Sequence, residues 1–536
     1  MATYPRPSSP IGGVPADLAP TRPSARAREL ALLALTALVP LVLALAVARE
    51  VRQPSIPLTL GAIAAALAVV VLLVSTRYAV TLTLIALYLG LLEGPVKLGS
   101  GGGAAASASR DVLILAVSLG ALVRLLARRE RLRLPPLSGW VLAFAALVVV
   151  ESFNPNTHGI LKVLGGYRQQ LEWLPFFFFG YLLMRSHERF RRYFLLLGAI
   201  ALANGAVGIY QAHLGPSGLA GWGPGYRELA EGGGAKGQGG RTYRSEGVAR
   251  VRPPALGSES GFGGSVAVIA LPGILALLLT ARGRRRWLIA LLCLSGALAG
   301  VATSASRTSV IGAVVAVLGF TLLAFYSGRV LRPLTVLAVV VGLAPAVGLG
   351  IAATEGAGVF SRFHSIATPG QAASASGTKE RTLAQIPSDI ANEPFGVGLA
   401  SVAAATGFGG VDKVTIEEHS ASAESQYNSV VLELGVAGLL LWVALTVKLA
   451  VLAVRRLRSV AEDGVRLDLA AVFATLLALT VMGFGGPTTY TSPAGPVFWF
   501  AVGIAAWWLA GPGRRAGAKL VARRIGPATT IGAGAS

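Results

Sequence analysis

The chain has 536 residues, of which 54% are hydrophobic and 13% charged, and its mean hydropathy is +0.65. Soluble globular domains average about 25% charged residues, so the composition excludes an ordinary soluble enzyme, while 67 glycines suit membrane helices, whose small residues let backbones pack closely. A formal charge of +22, from 47 Lys+Arg against 25 Asp+Glu, reads first as membrane topology and contact with anionic lipid, not as nucleic-acid binding.

In chain order, residues 1–28 are rich in Pro, Ala and Arg and lack an apolar core. They predict a disordered cytoplasmic tail and not a cleavable signal peptide. Fourteen apolar segments follow, each of roughly the length that crosses a hydrocarbon core. They lie near 29–48, 54–75, 78–92, 111–127, 137–153, 171–184, 193–211, 260–281, 287–303, 308–326, 333–353, 428–453, 468–484 and 495–510. The expected fold class is therefore an all-α polytopic membrane protein with about 14 transmembrane helices. Its transmembrane domain is 29–510, and 511–536 is a basic cytoplasmic tail. Cys293, the single cysteine, lies inside an apolar stretch and rules out an intramolecular disulfide framework.

The positive charges set the orientation. Short connections carry Arg128, Arg129, Arg131 and Arg133, then Arg185, Arg189, Arg191 and Arg192, then Arg282, Arg284, Arg285 and Arg286, with Arg455, Arg456 and Arg458 later. Cytoplasmic loops are the basic ones, so both termini are cytoplasmic and the membrane is the cytoplasmic one. Two long loops, about 212–259 and 354–427, then share the external, periplasmic face, and long loops in compact proteins are usually functional. The spans hold few ionisable groups: Arg124 and Lys448 near inner ends, and Glu433 about a turn and a half into the twelfth. Glu433 reads as a buried, hydrogen-bonded structural carboxylate. With no broken charged helix and no inverted repeat in view, a transporter is disfavoured.

The external loops hold arginines that defy the topological bias: Arg227, Arg241, Arg244, Arg250 and Arg252 in the first, Arg362 and Arg381 in the second. Arg307 sits in the very short turn Thr303-Ser-Ala-Ser-Arg-Thr308, where a solvated excursion is impossible. Guanidinium forks match phosphate oxygens, so a phosphate-bearing ligand at the outer leaflet accounts for them. Carboxylates able to act as acid or base are Asp389, Glu417, Glu418 and Glu424, with His419 beside them. Adjacent residues rarely converge on one ion, so Glu417-Glu418-His419 is a poor metal site, and no metal or other cofactor is expected. Gly257-Ser-Glu-Ser-Gly261 has Glu259 where a hydrolase elbow needs its nucleophile, and Gly232–Gly240 lacks the Lys-Ser/Thr ending of a phosphate loop.

Taken in order, four motifs resemble the O-antigen ligase and polymerase family. They are Arg252-Pro-Pro-Ala-Leu-Gly257 followed by Gly261-Phe-Gly-Gly264, then Thr303-Ser-Ala-Ser-Arg307, then Ser376-Gly-Thr-Lys-Glu-Arg381 with Asn392-Glu-Pro-Phe-Gly-Val-Gly-Leu399, and finally Glu424-Ser-Gln-Tyr427 with Glu433-Leu-Gly435 and Gly438-Leu-Leu-Leu441. The resemblance covers about residues 170–455. It implies a metal-independent inverting glycosyltransferase acting in cell-envelope polysaccharide synthesis. The donor is a glycan on polyprenyl pyrophosphate, and the acceptor is a hydroxyl on a glycan, lipid or protein. On this resemblance Arg307, Arg381 and Arg252 bind pyrophosphate, with Arg250 as understudy, and Tyr427 lines the sugar site. Many members carry His-Asn where this chain has Glu424-Ser425, which makes Glu424 the candidate base and His419, five residues upstream, its substitute. The alternatives are a transporter or flippase of a lipid-linked or amphipathic anion, and a non-catalytic envelope scaffold.

Overall fold

The computed structural model describes residues 82–99 except 84, 104–127, 134–231 except 158, 242–245, 248–328, 332–355, 363, 378–402, 425–460 and 462–511. The first two expected spans, 29–48 and 54–75, lie outside the described residues, as do both tails apart from Gly511.

The described chain is mostly helical. A π-helical turn, Tyr88–Leu92, leads into α1 (Glu93–Gly99), followed by α2 (Ala104–Ala127), α3 (Ser138–Glu151), α4 (Ile160–Leu171) and α5 (Pro175–Leu183). Next come α6 (His187–Ala220), α7 (Pro224–Glu231) and an antiparallel hairpin of β1 (Thr242–Ser245) and β2 (Val248–Val251). The bundle continues with α8 (Phe262–Thr280), α9 (Arg284–Thr303), α10 (Arg307–Tyr326) and α11 (Arg332–Glu355). It ends with α12 (Thr378–Asn392), α13 (Gln426–Arg456), α14 (Asp463–Met482) and α15 (Ala494–Trp508).

Among the described residues, six helices are long and apolar enough to cross a membrane: α6, α8, α9, α10, α13 extended to Ser459, and α14. Ser138–Glu151, Leu337–Ala353 and Ala494–Trp508 are shorter apolar helices. Expected span 171–184 contains the nine-residue α5, too short to cross alone, since about 20 residues are needed. Leucines on the outer surfaces of these helices stay uncovered, with Leu322 68%, Leu349 71% and Leu440 63% exposed. Such a belt is stable where the surroundings are apolar, so this is a membrane protein in contact with lipid.

Small residues set the packing. The central helix α8 runs antiparallel to α6 and α9, with Gly264 against Ser304 and Ser309 and Gly273 against Phe194. Gly205 of α6 lies on the backbone of Gly296 in α9, and Gly180 of α5 and Gly503 of α15 each lie on the other helix's backbone. A Cβ on Gly205, Gly180 or Gly503 would meet a carbonyl oxygen, so the close approach depends on its absence. Gly312 and Gly319 similarly admit Met482 and Leu477 from antiparallel α14.

The two ends of the bundle differ. At the end where α8, α10 and α13 begin, Ser304, Ser309, Ser425, Gln426 and Asn428 are buried. At the opposite end, arginines bind the fold itself: Arg185 lies 4.1 Å from the Trp507 ring centre and Arg458 3.8 Å from that of Tyr326. Arg466 there donates to the Val460 and Ser327 carbonyls, and His187 pairs with Asp468 at 2.6 Å. Guanidinium groups seated on aromatic rings at helix ends suit a membrane interface.

Candidate functional site

The site end is assembled on serine-capped helices. Ser306 accepts from Ser309 N to start α10, and Ser425 accepts from Asn428 N at 3.1 Å to start α13, each satisfying one orphan N–H of a first turn. Arg307 is consequently the first residue of α10, half-buried and held where the helix dipole is positive. A cation there adds to the dipole instead of opposing it, and the combination is suited to an anion. The turn before it is tight: Ala305 has φ 49° and Gly261 lies against Ser306.

Arg250 lies on β2 opposite Tyr243, and Arg252 follows the strand. The run Pro253–Gly257 after it is fixed to α6 by two buried amides. Gln211 accepts from Ala255 N at 2.8 Å and donates to Ala255 O at 2.9 Å, while Asn204 accepts from Leu256 N at 3.1 Å and donates to Gly90 O at 2.8 Å. The Nε of Arg252 is shielded from solvent and meets no acceptor among the described residues, a donor that an anion would satisfy. Beneath the hairpin, Leu98, Leu219, Tyr226, Leu229 and Val251 form a small core of their own. Burial there pushes the Tyr226 phenol up to about 12, so Tyr226 stays neutral and serves packing.

Tyr427 packs its ring on Phe484 with centroids 4.5 Å apart, and its hydroxyl donates to Thr480 O at 3.0 Å. It thereby ties α13 to the end of α14, and Gly485 just beyond rests on Thr308, the neighbour of Arg307. Asn428 donates to Asp389 Oδ2 at 3.3 Å, bringing a half-buried carboxylate of α12 to the start of α13. Arg381 is on the backbone of α12, about two helical turns before Asp389. Glu424 and His419 lie outside the described residues, as do Glu417 and Glu418. Arg252, Arg307 and Tyr427 thus share one end of the bundle.

The sequence reading finds no broken charged helix, and the structure corrects it. Helix α13 is interrupted at Gly435, with φ 62° and ψ −164°, two residues after Glu433. In a continuous helix Val436 N would donate to Leu432 O. Here Val436 N donates instead to Pro394 O at 2.9 Å, and Leu432 O accepts from Val397 N at 2.6 Å. The Pro394-Phe-Gly-Val-Gly398 turn has inserted into one helical hydrogen bond and taken both of its halves. Nothing polar is lost, which is the condition for irregular backbone at membrane depth. The insertion needs glycine on both sides, because a Cβ on Gly435 would collide with Pro394 O and one on Gly396 would sit 2.9 Å from Gly435 N. The Gly435 conformation is essentially glycine-only and costs another residue about 1–3 kcal/mol. Gly435→Ala is therefore expected to lower the thermal midpoint of the purified protein, and an unchanged midpoint would show that the break does not depend on glycine.

Glu433 is completely buried at this break. Its Oε1 accepts from Gln169 Nε2 at 2.9 Å and Val402 N at 3.4 Å, its Oε2 from Gln170 Nε2 at 2.6 Å, and Gln170 also contacts the Tyr490 hydroxyl at 3.0 Å. One carboxylate therefore joins α4, the segment after the inserted turn, α13 and the link between α14 and α15. As expected from sequence, it is buried and hydrogen-bonded. Its partners were not foreseen: Gln169 and Gln170 sit in an amphipathic stretch that hydropathy treats as a loop. Asn204 and Gln211 also escaped notice, although two amides seven residues apart on one face of an apolar helix are a readable signal.

Close by, Arg110 binds Glu172 through two nitrogens at 2.8 and 2.9 Å and Glu93 at 3.0 Å, while Arg168 meets Asp111 at 2.7 Å. Arg110 also lies 5.1 Å from the Trp173 ring centre. This network fastens α1 and α2 to the link between α4 and α5. Compared with protein-family models, with curated proteins and with solved structures, the chain matches none.

Proposed function

We propose that the chain is a membrane glycosyltransferase of the O-antigen ligase and polymerase type. It moves glycan from a polyprenyl-pyrophosphate donor to an acceptor hydroxyl at the external face of the cytoplasmic membrane, with both termini cytoplasmic and about 14 spans. The observation that carries this reading is the convergence of motifs distant in sequence: Gly261 against the Ser306–Arg307 turn, and the Pro394–Gly398 turn inside the break at Gly435. A shared end of a bundle is what a single active site requires of residues so far apart.

In this reading Arg252, Arg307 and Arg381 neutralise the charge that builds on the departing pyrophosphate. Glu424 removes the acceptor's hydroxyl proton as that oxygen bonds to the anomeric carbon. The bond from that carbon to the pyrophosphate oxygen breaks on the opposite face, its electron pair leaves with the pyrophosphate, and the anomeric configuration inverts. Guanidinium groups do here what a divalent cation does in other transferases. Asp389, beside the start of α13, is a second carboxylate placed to take the proton.

The test is glycan transfer by the purified protein in nanodiscs, with EDTA present and a polyprenyl-pyrophosphate oligosaccharide as donor. Transfer that persists in EDTA and falls in Glu424→Gln or Asp389→Asn supports the reading and names the base. A second reading, a transporter or flippase of an amphipathic anion, is favoured by one observation, the buried carboxylate at a helix break, since discontinuous helices line transport sites. If no glycan moves with any acceptor while the donor lipid crosses a proteoliposome bilayer, the transporter replaces the transferase.

A further inference from the structure

A cavity of about 510 Å³ runs along α6 between the segment 82–90, α5, α8 and α15. Phe176, Leu196, Ile200, Ile269 and Phe500 contribute to its apolar walls, and Arg189 and Arg192 stand at one end. From Arg189 to Ile200 the helix rises about 17 Å at 1.5 Å per residue, close to half of a hydrocarbon core of about 30 Å. A second cavity of about 370 Å³ adjoins it, with Arg191, Arg192 and Arg286 facing a single acid, Glu188, and Thr280. Arg192 lines both.

We infer that this pair of cavities is a binding site for one anionic phospholipid of the leaflet at the arginine end. One acyl chain occupies the slot along α6, and the phosphate sits among Arg191, Arg192 and Arg286. An apolar slot one leaflet deep that ends in a cationic cup is complementary to such a molecule in both length and charge. The arginines on this cup also differ from others at the same end. Arg458 and Arg466 are committed to backbone carbonyls of the fold. Arg192 pairs with Glu188 on its own helix, and the two side chains are 77% and 70% exposed. An exposed pair of that kind contributes little, and a phosphate oxygen replaces it readily. The proposal does not rest on the transferase reading, because the arginines of the cup lie at the opposite end of the bundle from Arg307 and none of them is a candidate pyrophosphate ligand.

The experiment uses the full chain, delipidated in a neutral detergent and then given phosphatidylglycerol or phosphatidylcholine with identical chains. Native mass spectrometry reads the lipid retained, and a thermal scan reads the midpoint. The wild type is expected to retain one phosphatidylglycerol at least 10-fold better than phosphatidylcholine and to gain thermal stability from it. The double variant Arg192→Ala/Arg286→Ala loses that preference. Leu196→Trp, which fills the slot without changing charge, loses retention as well, and Ile269→Trp closes the slot from α8 should the first variant prove unstable without lipid. Arg455→Ala/Arg456→Ala, which removes equal charge away from both cavities, retains phosphatidylglycerol as the wild type does. Equal retention of both lipids, or undiminished retention in a folded slot-filling variant, overturns the proposal. Displacement of phosphatidylglycerol by equimolar polyprenyl phosphate also overturns it and assigns the slot to a carrier lipid.

Discussion

Glu433→Leu should lower the thermal midpoint sharply, whereas Glu433→Gln should lower it much less. Leucine removes an acceptor that three donors share, Gln169 Nε2, Gln170 Nε2 and Val402 N. Each buried donor left unsatisfied costs about 1–3 kcal/mol, so the expected loss is at least about 3 kcal/mol. Glutamine is different because the network can turn over. Its oxygen takes the place of Oε1 and keeps Gln169 and Val402 satisfied. Its amide then faces Gln170, whose own oxygen is buried without a partner. A flip of the Gln170 amide lets that oxygen accept from the introduced amide and from the Tyr490 hydroxyl at once, and leaves one unserved donor, the Gln170 amide nitrogen, in the position its oxygen held, against three unserved donors in Glu433→Leu. The conservative variant thus removes the ionisable carboxyl and keeps the fold. It also separates the two functional readings: a transferase that uses Glu433 as a joint keeps its transfer in Glu433→Gln, and a transporter that uses the charge loses transport. A large loss of midpoint in Glu433→Gln would mean that the Gln170 flip does not occur.

On the transferase reading, Arg307→Ala should reduce transfer at least about 100-fold, the scale seen when a donor that stabilises developing charge is removed. The argument is positional. Arg307 occupies the first position of α10, where its charge and the helix dipole have the same sign. That arrangement favours a bound dianion, so the loss should fall on turnover. Arg307→Lys should recover only part of the rate, since an ammonium keeps the charge and loses the planar fork. Full activity in Arg307→Ala, with the protein folded, would remove Arg307 from the chemistry.

The legible part of the site was the part written in short motifs. Arg307 and Tyr427 could be marked because each stands one residue before an expected span, and Arg250 and Arg252 because they are basic residues on an external loop. The inserted turn was legible only as two unrelated glycine motifs. Pro394–Gly398 and Glu433–Gly435 are joined by backbone bonds although they stand far apart in the chain, and neither segment alone records that it accepts the other's hydrogen bond. The break in α13 was missed for the same reason: Val430 to Gly438 is apolar enough to pass as continuous helix, and a glycine in such a run is tolerated far more often than it is broken. The ion network on Arg110 was hidden by its position one residue before an expected span, where an arginine reads as a simple end marker.

By itself, the sequence determined the membrane environment, the mostly helical class and the approximate limits of the helices now seen from α8 to α10, because hydropathy accumulates locally over about 20 residues and needs no partner; the short hairpin of β1 and β2 was not foreseen. Only the tertiary structure decided which polar groups meet. Buried amides and carboxylates at membrane depth must find partners wherever the fold supplies them, and the partners of Glu433 stand 264 residues away in one case, Gln169, and 31 in another, Val402. The tertiary structure also decided that α5 stops after nine residues and that Gly180 and Gly503 bring it into backbone contact with α15.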